Sequence, residues 1–369
     1  MKIKNLAKTG TLKAMIGMLA IIFITASQCA TNSSSSPNIQ TDVAGSNEII
    51  FSSVRPNPDG IMTTGIYYLD LETMAEVYLT PGRNLEMPFF FWSPQRQQVI
   101  YTDMADGTAY NDDEIYASDL NGHQIRLTNN NHSDSVIGWS PDGETISFYS
   151  RADPYAALYL YLMNPDGSNI RPLFDGEMTF SSAAVWSADS QRILTNQASC
   201  DLNIIDLETR ETLWRFSDED ICDGIRWSPD NNMLLYLSDR DLDTLPNSPI
   251  LIYREILTLD LKTKRKAVLT KFDVVLNPIW SPDSRWIAFS AGTLEALNLY
   301  LVRSNGAALE QLTESGYYTV NDWSPDGQKL LVTNINDDAT SVLYILDVND
   351  KRLEKIVDNG FMNQNPIWK

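Results

Sequence analysis

The stretch Trp139-Ser140-Pro141-Asp142-Gly143 decides how this sequence is interpreted, because variants of it recur along the chain. Proline suits the second position of a tight turn, and the serine hydroxyl can bond back to the turn backbone. Blades of a β-propeller repeat at roughly 40–45 residues, so the spacing predicts one four-stranded blade for each copy. The other copies are Trp92-Ser93-Pro94-Gln95, Trp186-Ser187-Ala188-Asp189, Trp227-Ser228-Pro229-Asp230, Trp280-Ser281-Pro282-Asp283 and Trp323-Ser324-Pro325-Asp326.

The residues between two copies of the motif predict the other strands of a blade. After the motif comes a strand such as 145–149, and then an alternating strand such as 158–161. A turn of the Asp166-Gly167 type and a last short strand such as 124–128 follow. Alternating apolar residues closed by Asn-Gly or Asp-Gly are a strong hairpin signal. The tryptophan ends the innermost strand and is large enough to fill the space between neighbouring blades.

The two ends of the chain supply the parts of one more blade. Residues 48–53, 65–71 and 76–80 form three strands that no copy of the motif precedes. The last residues, 365–368, match 277–280 and therefore provide an innermost strand without partners. The sequence thus predicts an all-β, seven-bladed β-propeller of four-stranded antiparallel blades over residues 47–369. Pairing of the C-terminal strand with the N-terminal strands closes it, and six blades is the alternative.

The first 29 residues have the pattern of a secretory signal peptide. Residues 1–13 contain four lysines and no acid, and 14–26 are largely apolar. Cys29 follows small residues, as in a bacterial lipoprotein signal, although Gln28 departs from that pattern. Residues 30–46 are a polar tether. We expect export to the periplasm or the cell exterior and a lipid anchor on Cys29; an ordinary cleaved signal is the alternative.

Composition and charge limit the classes of partner. The chain is 43% hydrophobic, enough for a large folded domain, and its formal net charge is −20. This acidity argues against binding to nucleic acid and against attraction to anionic lipid headgroups. We expect a monomer that contacts the membrane through its lipid anchor only.

The repeated Trp-Ser-Pro-Asp turn, followed by a strand and a hairpin, resembles the TolB-like family of WD-like propeller repeats. The resemblance covers nearly all of residues 47–369 and implies the propeller fold. TolB itself has six blades and an additional N-terminal α/β domain through which it works with its Tol partners. Residues 30–46 are too few for such a domain, so we do not expect a role in the Tol system.

The sequence contains few groups suited to catalysis. Propellers that cover serine peptidases accompany a hydrolase domain with a Gly-x-Ser-x-Gly motif, which this sequence lacks. The two histidines fall in loops at opposite ends of the disc, because His123 follows the third strand of its blade and His132 the fourth. We therefore predict no catalytic residues and a protein that is not an enzyme.

One acidic loop has part of the pattern of a calcium site. Asp239, Asp241 and Asp243 occupy alternate positions, as at the start of a calcium-binding loop. The sixth position is Thr244 instead of glycine and the twelfth is Ile250 instead of glutamate. The loop therefore holds either solvated acids or a Ca²⁺ site, and no other cofactor is expected.

The mouth of the central channel is the predicted contact surface. The longest loops open at this end of the disc, and long loops beyond what a blade needs often carry function. Polar residues of the innermost strands ring the mouth and would suit a protein partner or a small polar ligand. They are Asp134, Asp223, Asn277, Asn321, Asp322 and Asn365.

Two cysteines remain when Cys29 carries the lipid. Cys200 and Cys222 are both predicted in loops at one end of the same blade. An even number of cysteines in an oxidising compartment predicts a disulfide between them.

The first functional hypothesis is a non-enzymatic, membrane-tethered binding or scaffold protein that presents one propeller face. The second is a calcium-dependent propeller hydrolase or lactonase, which requires carboxylates that converge on the channel axis. The third is a sensor or assembly component. Propellers host many unrelated functions, so the fold does not choose among the three.

Overall fold

The computed structural model describes residues 47–57, 59–81, 89–104, 113–152, 158–173, 183–196, 201–217, 223–238, 255–293 and 295–369. Their strands form seven four-stranded antiparallel sheets, each a blade in which consecutive strands are neighbours. The predicted seven-bladed propeller is confirmed, and the six-bladed alternative is excluded. The described part of the chain contains no helix that is long and apolar enough to cross a bilayer.

The first three blades follow one another along the chain. Blade 1 contains β4 (Phe90–Ser93), β5 (Gln98–Met104), β6 (Asp113–Asp119) and β7 (Gln124–Arg126). Blade 2 contains β8 (Ser133–Trp139), β9 (Ile146–Arg151), β10 (Tyr159–Met163) and β11 (Arg171–Pro172). Blade 3 contains β12 (Ala183–Trp186), β13 (Arg192–Asn196), β14 (Asp201–Asp206) and β15 (Thr212–Ser217).

The next three blades repeat this order. Blade 4 contains β16 (Asp223–Trp227), β17 (Met233–Ser238), β18 (Glu255–Asp260) and β19 (Lys266–Lys271). Blade 5 contains β20 (Val274–Trp280), β21 (Trp286–Gly292), β22 (Leu297–Arg303) and β23 (Glu310–Gln311). Blade 6 contains β24 (Tyr318–Trp323), β25 (Lys329–Ile335), β26 (Ser341–Asp347) and β27 (Leu353–Val357).

The seventh blade joins the two ends of the chain and closes the ring. Its strand order is β28-β1-β2-β3, with β28 innermost. Ile49 of β1 lies opposite Trp368 of β28, and Ser53 lies opposite Asn363. The predicted composite blade is therefore confirmed. Its strands are β1 (Glu48–Pro56), β2 (Met62–Asp70), β3 (Glu76–Tyr78) and β28 (Met362–Trp368).

The repeated motif forms the turn between the first and second strands of a blade. The hydroxyl of Ser140 donates to Asp142 Oδ1 at 2.6 Å, and the backbone N–H of Thr145 donates back to Ser140 Oγ at 2.9 Å. The same serine–aspartate hydrogen bond recurs in blades 3 to 6. These side chains satisfy the polar groups of the turn, so the motif has a structural role.

The core lies between the blades. In the described residues, each of seven apolar clusters combines side chains of two neighbouring blades. Each motif tryptophan packs toward the preceding blade; Trp227, for example, shares a cluster with Val185 of blade 3. Its indole N–H also donates to the Val185 carbonyl at 3.1 Å. The spacing of the tryptophans therefore sets the contact between blades.

The up-and-down order of strands gives the disc two different ends. The end of the disc that carries the turns after the first and third strands of each blade, including the motif turns, is called the turn face. The opposite end, which carries the turns after the second strands and the connections between blades, is called the loop face. His123, after β6, lies on the turn face, and His132, before β8, lies on the loop face. The two imidazoles are thus at opposite ends, as the sequence predicts.

Candidate functional site

The innermost strands border the central channel, and bulges interrupt them. In β20, Leu276 pairs with Ser290 and Ile279 with Ala288, so two residues of β20 face one residue of β21. The same irregularity separates Gln364 from Ile367 in β28. The bulged residues are Asn277-Pro278 in blade 5 and Asn365-Pro366 in blade 7. A bulge removes residues from the ladder and redirects their side chains.

The two bulge asparagines adopt a left-handed backbone. Their φ angles are 50° for Asn277 and 51° for Asn365. Asparagine tolerates this conformation better than most residues do. Gly224 occupies the same position in blade 4, three residues before the motif tryptophan, with a φ of 64°. The left-handed backbone thus explains why asparagine or glycine occurs at this position. Since glycine satisfies the same backbone requirement, the conformation alone does not account for the asparagine amide.

The amides of both asparagines have buried atoms that lack partners. Asn277 is 5% exposed, and neither its Nδ2 nor Oδ1 of Asn365 has a hydrogen-bond partner in the described part of the chain. Leaving a buried polar group unpaired costs about 1–3 kcal/mol. A donor in blade 5 and an acceptor in blade 7 are therefore buried on innermost strands without a hydrogen-bond partner in the described residues.

Asp322 of blade 6 lies between these two blades and is almost fully buried. Its Oδ1 accepts the backbone N–H of Trp323 at 2.9 Å, and its Oδ2 accepts that of Trp368 at 3.0 Å. Burial raises the pKa of Asp322 to about 7, although both N–H donors and the charge of Arg226 act to lower it. Asp322 is therefore a carboxyl group that titrates near neutral pH.

Arg226 is a channel residue that the sequence interpretation did not single out. It lies on β16 of blade 4, is 4% exposed, and interacts electrostatically with Asp322 two blades away. Because both belong to innermost strands, this attraction crosses the channel. The repeat contains a signal that could have identified the pair. The residue before the motif tryptophan is apolar in blades 1, 3, 5 and 7, but it is Arg226 in blade 4 and Asp322 in blade 6.

Two other predicted channel residues, Asn321 and Asp223, are not among the buried side chains that lack a partner in the described structure. Asn321 is 6% exposed, and its Oδ1 accepts the hydroxyl of Thr333 at 2.8 Å, which ties it to its own blade. Asp223 begins β16 and pairs with Leu237 through the backbone. The structure does not describe the Asp223 side chain. Asn277, Asp322, Asn365 and Arg226, from four consecutive blades, form what we call the polar arc.

Asp134 was also predicted at the mouth, but the structure buries it completely in blade 2. Its Oδ1 accepts the hydroxyl of Ser150 at 2.5 Å, and its Oδ2 accepts the amide of Asn130 at 2.7 Å. Burial, together with the negative charge of Glu114, raises the pKa of Asp134 above its ordinary value. Asp134 thus belongs to a polar network that holds the connection between blades 1 and 2.

Several predicted sites fall outside the described residues. They include the lipidation site Cys29, the disulfide pair Cys200 and Cys222, and the acidic loop with Asp239, Asp241 and Asp243. Within the residues that the structure describes, no three His, Cys, Asp or Glu side chains cluster closely enough to hold a metal ion.

Comparison with known proteins supports the fold. No family model matches the chain. The solved TolB of Acinetobacter baumannii is 15% identical and superposes with a TM-score of 0.51 over 95% of this chain and 93% of its own. A puromycin-hydrolyzing peptidase of Mycobacterium tuberculosis is 14% identical, with a TM-score of 0.61 over 90% of this chain and 54% of its own. An oligogalacturonate lyase of Vibrio parahaemolyticus is 17% identical, with a TM-score of 0.52 over 70% and 71%.

The fold is that of a seven-bladed β-propeller with structural similarity to TolB. Similarity at these identities establishes architecture alone, because propellers with one architecture carry many functions. Among curated sequences, an uncharacterized protein of Agrobacterium fabrum is 26% identical over 38% of this chain and 49% of its own length. The uncharacterized peptidase YuxL of Bacillus subtilis is 28% identical over 42% of this chain and 22% of its own. The chain thus spans about half or less of these relatives.

Proposed function

We propose that this protein is a non-enzymatic, exported binding protein that receives a polar ligand, or a polar side chain of a partner protein, in its channel. The observation that supports the proposal is the polar arc. It places an unpaired amide donor, Asn277, and an unpaired amide acceptor, Asn365, on either side of Asp322. Binding from the loop face would satisfy buried groups that the fold leaves without partners.

The polar arc has the character of a binding site more than of a reaction centre. Asp322 accepts one backbone N–H on each carboxylate oxygen, so both oxygens are engaged and the fold fixes the orientation of the side chain. Arg226 and Asp322 carry charges of opposite sign. Because these charges offset each other, the polar arc favours a neutral or zwitterionic ligand. The alternative, a calcium-dependent hydrolase, requires several carboxylates that converge in the channel.

Glycine substitutions test the proposal with little disturbance of the fold. Asn277→Gly and Asn365→Gly remove the amides but keep the left-handed backbone, as Gly224 does in blade 4. The full chain in mild detergent is titrated calorimetrically with glucose, glycerol, glutamine and glycine, and separately with Ca²⁺. We expect at least one organic probe to bind, with affinity lost in both variants while the melting temperature is kept.

Two results would reject the channel as a ligand site. One is that none of the four organic probes binds; the other is that the glycine variants bind as tightly as the parent chain. Binding of Ca²⁺ with a raised melting temperature that a chelator reverses would favour the hydrolase instead. Lactone substrates would then be the next assay.

We also infer that the protein is anchored outside the cytoplasm by lipid on Cys29. The signal-like residues 1–29 and the polar tether 30–46 support this inference. Mass spectrometry of the protein isolated from membranes would find a lipid-modified N-terminal Cys29. The same non-reduced sample would show Cys200 and Cys222 joined; an unmodified N-terminus would reject the anchor, and two free thiols would reject the disulfide.

A further inference from the structure

A cavity opens on the turn face between blades 5 and 6, away from the channel. Its volume is about 550 Å³. Aromatic, proline and aliphatic side chains form its walls, with Trp286 and Leu301 from blade 5 and Trp323 and Pro325 from blade 6. Three carboxylates, those of Asp283, Glu310 and Asp326, also line it. We call this cavity the acidic crevice.

The repeat provides a second crevice for comparison, between blades 2 and 3, with a volume of about 360 Å³. The positions correspond, because Leu162 pairs with Arg171 in blade 2 as Leu301 pairs with Glu310 in blade 5. Arg171 and Arg210 both line the crevice between blades 2 and 3, so that crevice supplies its own cations. Among the described residues, the walls of the acidic crevice include no basic side chain, although Lys351, Arg285 and Arg303 each contact a residue that lines it.

The aromatic content differs between the crevices as well. Trp286 lines the acidic crevice where the corresponding residue of blade 2 is Thr145. The guanidinium of Arg303 already lies 4.9 Å from the centre of the Trp286 ring. An aromatic ring near carboxylates is a favourable environment for a cation, and Arg stacks on such rings more readily than Lys does.

The carboxylates of the acidic crevice are only partly neutralised. Asp326 Oδ1 accepts the Ser324 hydroxyl at 2.6 Å and the Gln328 N–H at 3.0 Å, and the described residues place no cation in ion-pair range of Asp326. The one cation that the described residues place near the Asp283 carboxylate is Arg285, at 3.7 Å, and both side chains are more than half exposed.

Glu310 is the carboxylate that the fold does neutralise. Lys351 of blade 6 pairs with it at 2.7 Å and also donates to the Gln311 carbonyl at 3.1 Å. Lys351 thereby links the outermost strand of blade 5 to blade 6. The negative charge that remains available belongs to Asp283 and Asp326, one from the motif turn of each blade.

We propose that the acidic crevice binds an arginine side chain presented by a segment of a partner protein. The guanidinium would bond Asp283 and Asp326, while the aliphatic stem packs on Trp286, Leu301 and Pro325. The net charge of −20 adds a long-range attraction for a basic partner. The site lies on the face opposite the channel mouth, so it is independent of the proposed channel ligand.

Fluorine NMR of the full chain containing 5-fluorotryptophan tests the proposal directly. The probe is N-acetyl-arginine amide, and the control is N-acetyl-citrulline amide, which has the same shape without the charge. Signals of Trp286 and Trp323, assigned by single Trp→Phe substitutions, are expected to shift and saturate with the arginine probe alone. Trp186, in the crevice between blades 2 and 3, is expected to stay unchanged.

Charge-removing variants complete the test. Asp326→Asn and Asp283→Asn keep an Oδ1 acceptor for the turn hydrogen bonds, so the fold is retained. Each should weaken the arginine probe by about fivefold, as expected for a solvent-exposed ion pair. Asp142→Asn, the corresponding change in the other crevice, should leave the affinity unchanged. Equal shifts with citrulline, shifts that do not saturate, or unchanged affinity in both Asp→Asn variants would overturn the proposal.

Discussion

Asp322 in blade 6 accepts the backbone N–H of Trp368 in the composite blade through its Oδ2, at 3.0 Å. Trp368 belongs to the last strand of the chain and also lies opposite Ile49 of β1. The strand that closes the ring is therefore held from both sides, by the ladder of its own blade and by a carboxyl of the preceding blade. The group that links blades 6 and 7 is also one that titrates near neutral pH.

The first prediction concerns the pH dependence of stability. Burial raises the pKa of Asp322 to about 7, whereas an unfolded aspartate titrates near 3.9. Between these values the folded chain binds more protons than the unfolded chain, so this carboxyl makes folding less favourable as pH rises. Asp322→Asn removes this pH dependence of stability. One of the two backbone N–H groups would then face the amide Nδ2, which cannot accept a hydrogen bond, so the variant is destabilised. We expect the difference in free energy of unfolding between parent and variant to be largest, in favour of the parent, near about pH 5, and smallest near about pH 8.

Urea denaturation of both chains across that range measures the difference. Other carboxyls titrate in both chains and cancel. In Asp230, for example, burial raises the pKa but hydrogen bonds from Ser228 and Asn232 outweigh it, so the net pKa is lowered. Its contribution is lost only as pH falls through the acid range. A stability difference between parent and variant that is constant over pH would contradict the raised pKa of Asp322.

The second prediction concerns the tryptophans between blades. The indole N–H of Trp227 donates to the Val185 carbonyl at 3.1 Å, whereas that of Trp280 has no partner in the described residues. Both side chains are buried, at 4% and 2% exposure. Trp→Phe leaves a cavity at either position but removes a hydrogen bond at one only. Trp227→Phe should therefore cost about 1 kcal/mol more than Trp280→Phe in the free energy of unfolding. Equal costs in denaturant titrations would refute this role for the indole N–H.

The architecture was predictable because its determinants are local and repeated. The motif turn recurs in blades 1 to 6, and the match of residues 365–368 to 277–280 located the closing strand of the seventh. The outermost strands end earlier than the pattern indicated: 124–128 was predicted and β7 spans Gln124–Arg126. The reason is that a threonine side chain accepts a backbone hydrogen bond of the third strand, in place of a backbone carbonyl of the outermost strand. Thr128 Oγ1 accepts the Ile115 N–H at 3.0 Å, and Thr80 and Thr313 do the same in blades 7 and 5.

The candidate site was less predictable because it depends on contacts between blades that are distant in sequence. Arg226 and Asp322 are both charged exceptions at the position before the motif tryptophan, but the repeat alone does not show that they attract each other across the channel. Asp134 was placed at the mouth because it begins an innermost strand, yet Ser150 and Asn130 bury it in a network. Polarity and strand position identified channel residues, but they did not separate unpaired groups from those that already have partners.

The third prediction concerns the left-handed residues of the motif turns. Glycine occupies that position in blades 2 and 6, but Asn231 occupies it in blade 4, with a φ of 59°. Its Oδ1 accepts the backbone N–H of Ala188 in the preceding blade at 2.7 Å. Asn231→Gly loses this bond alone, whereas Asn231→Ala loses it and adds left-handed strain of about 1–2 kcal/mol. We expect the melting temperature to fall in the order parent, glycine variant, alanine variant. The same temperature for both variants would show that the turn relaxes.

The last prediction concerns an ion pair in blade 1 between a buried carboxylate and an arginine that stays partly exposed to solvent. Glu114 is fully buried; its Oε1 accepts the Arg126 guanidinium at 2.8 Å and the Asn130 N–H at 2.9 Å. Arg126→Met would leave the carboxylate without that charge, at a cost of about 3 kcal/mol in unfolding free energy. Adding Glu114→Gln should recover most of the loss, because the amide oxygen still accepts the Asn130 N–H. The exposed pair of Lys355 and Asp358, at 2.7 Å, is the matched control.

In that control, Lys355→Met should leave the free energy of unfolding almost unchanged, since solvent screens an exposed pair. A double-mutant cycle from denaturant titrations measures the coupling at each site. Strong coupling between residues 114 and 126, with weak coupling between 355 and 358, would identify burial of Glu114 as the source of the cost. Equal coupling at both sites would mean that water reaches Glu114 through the loop face.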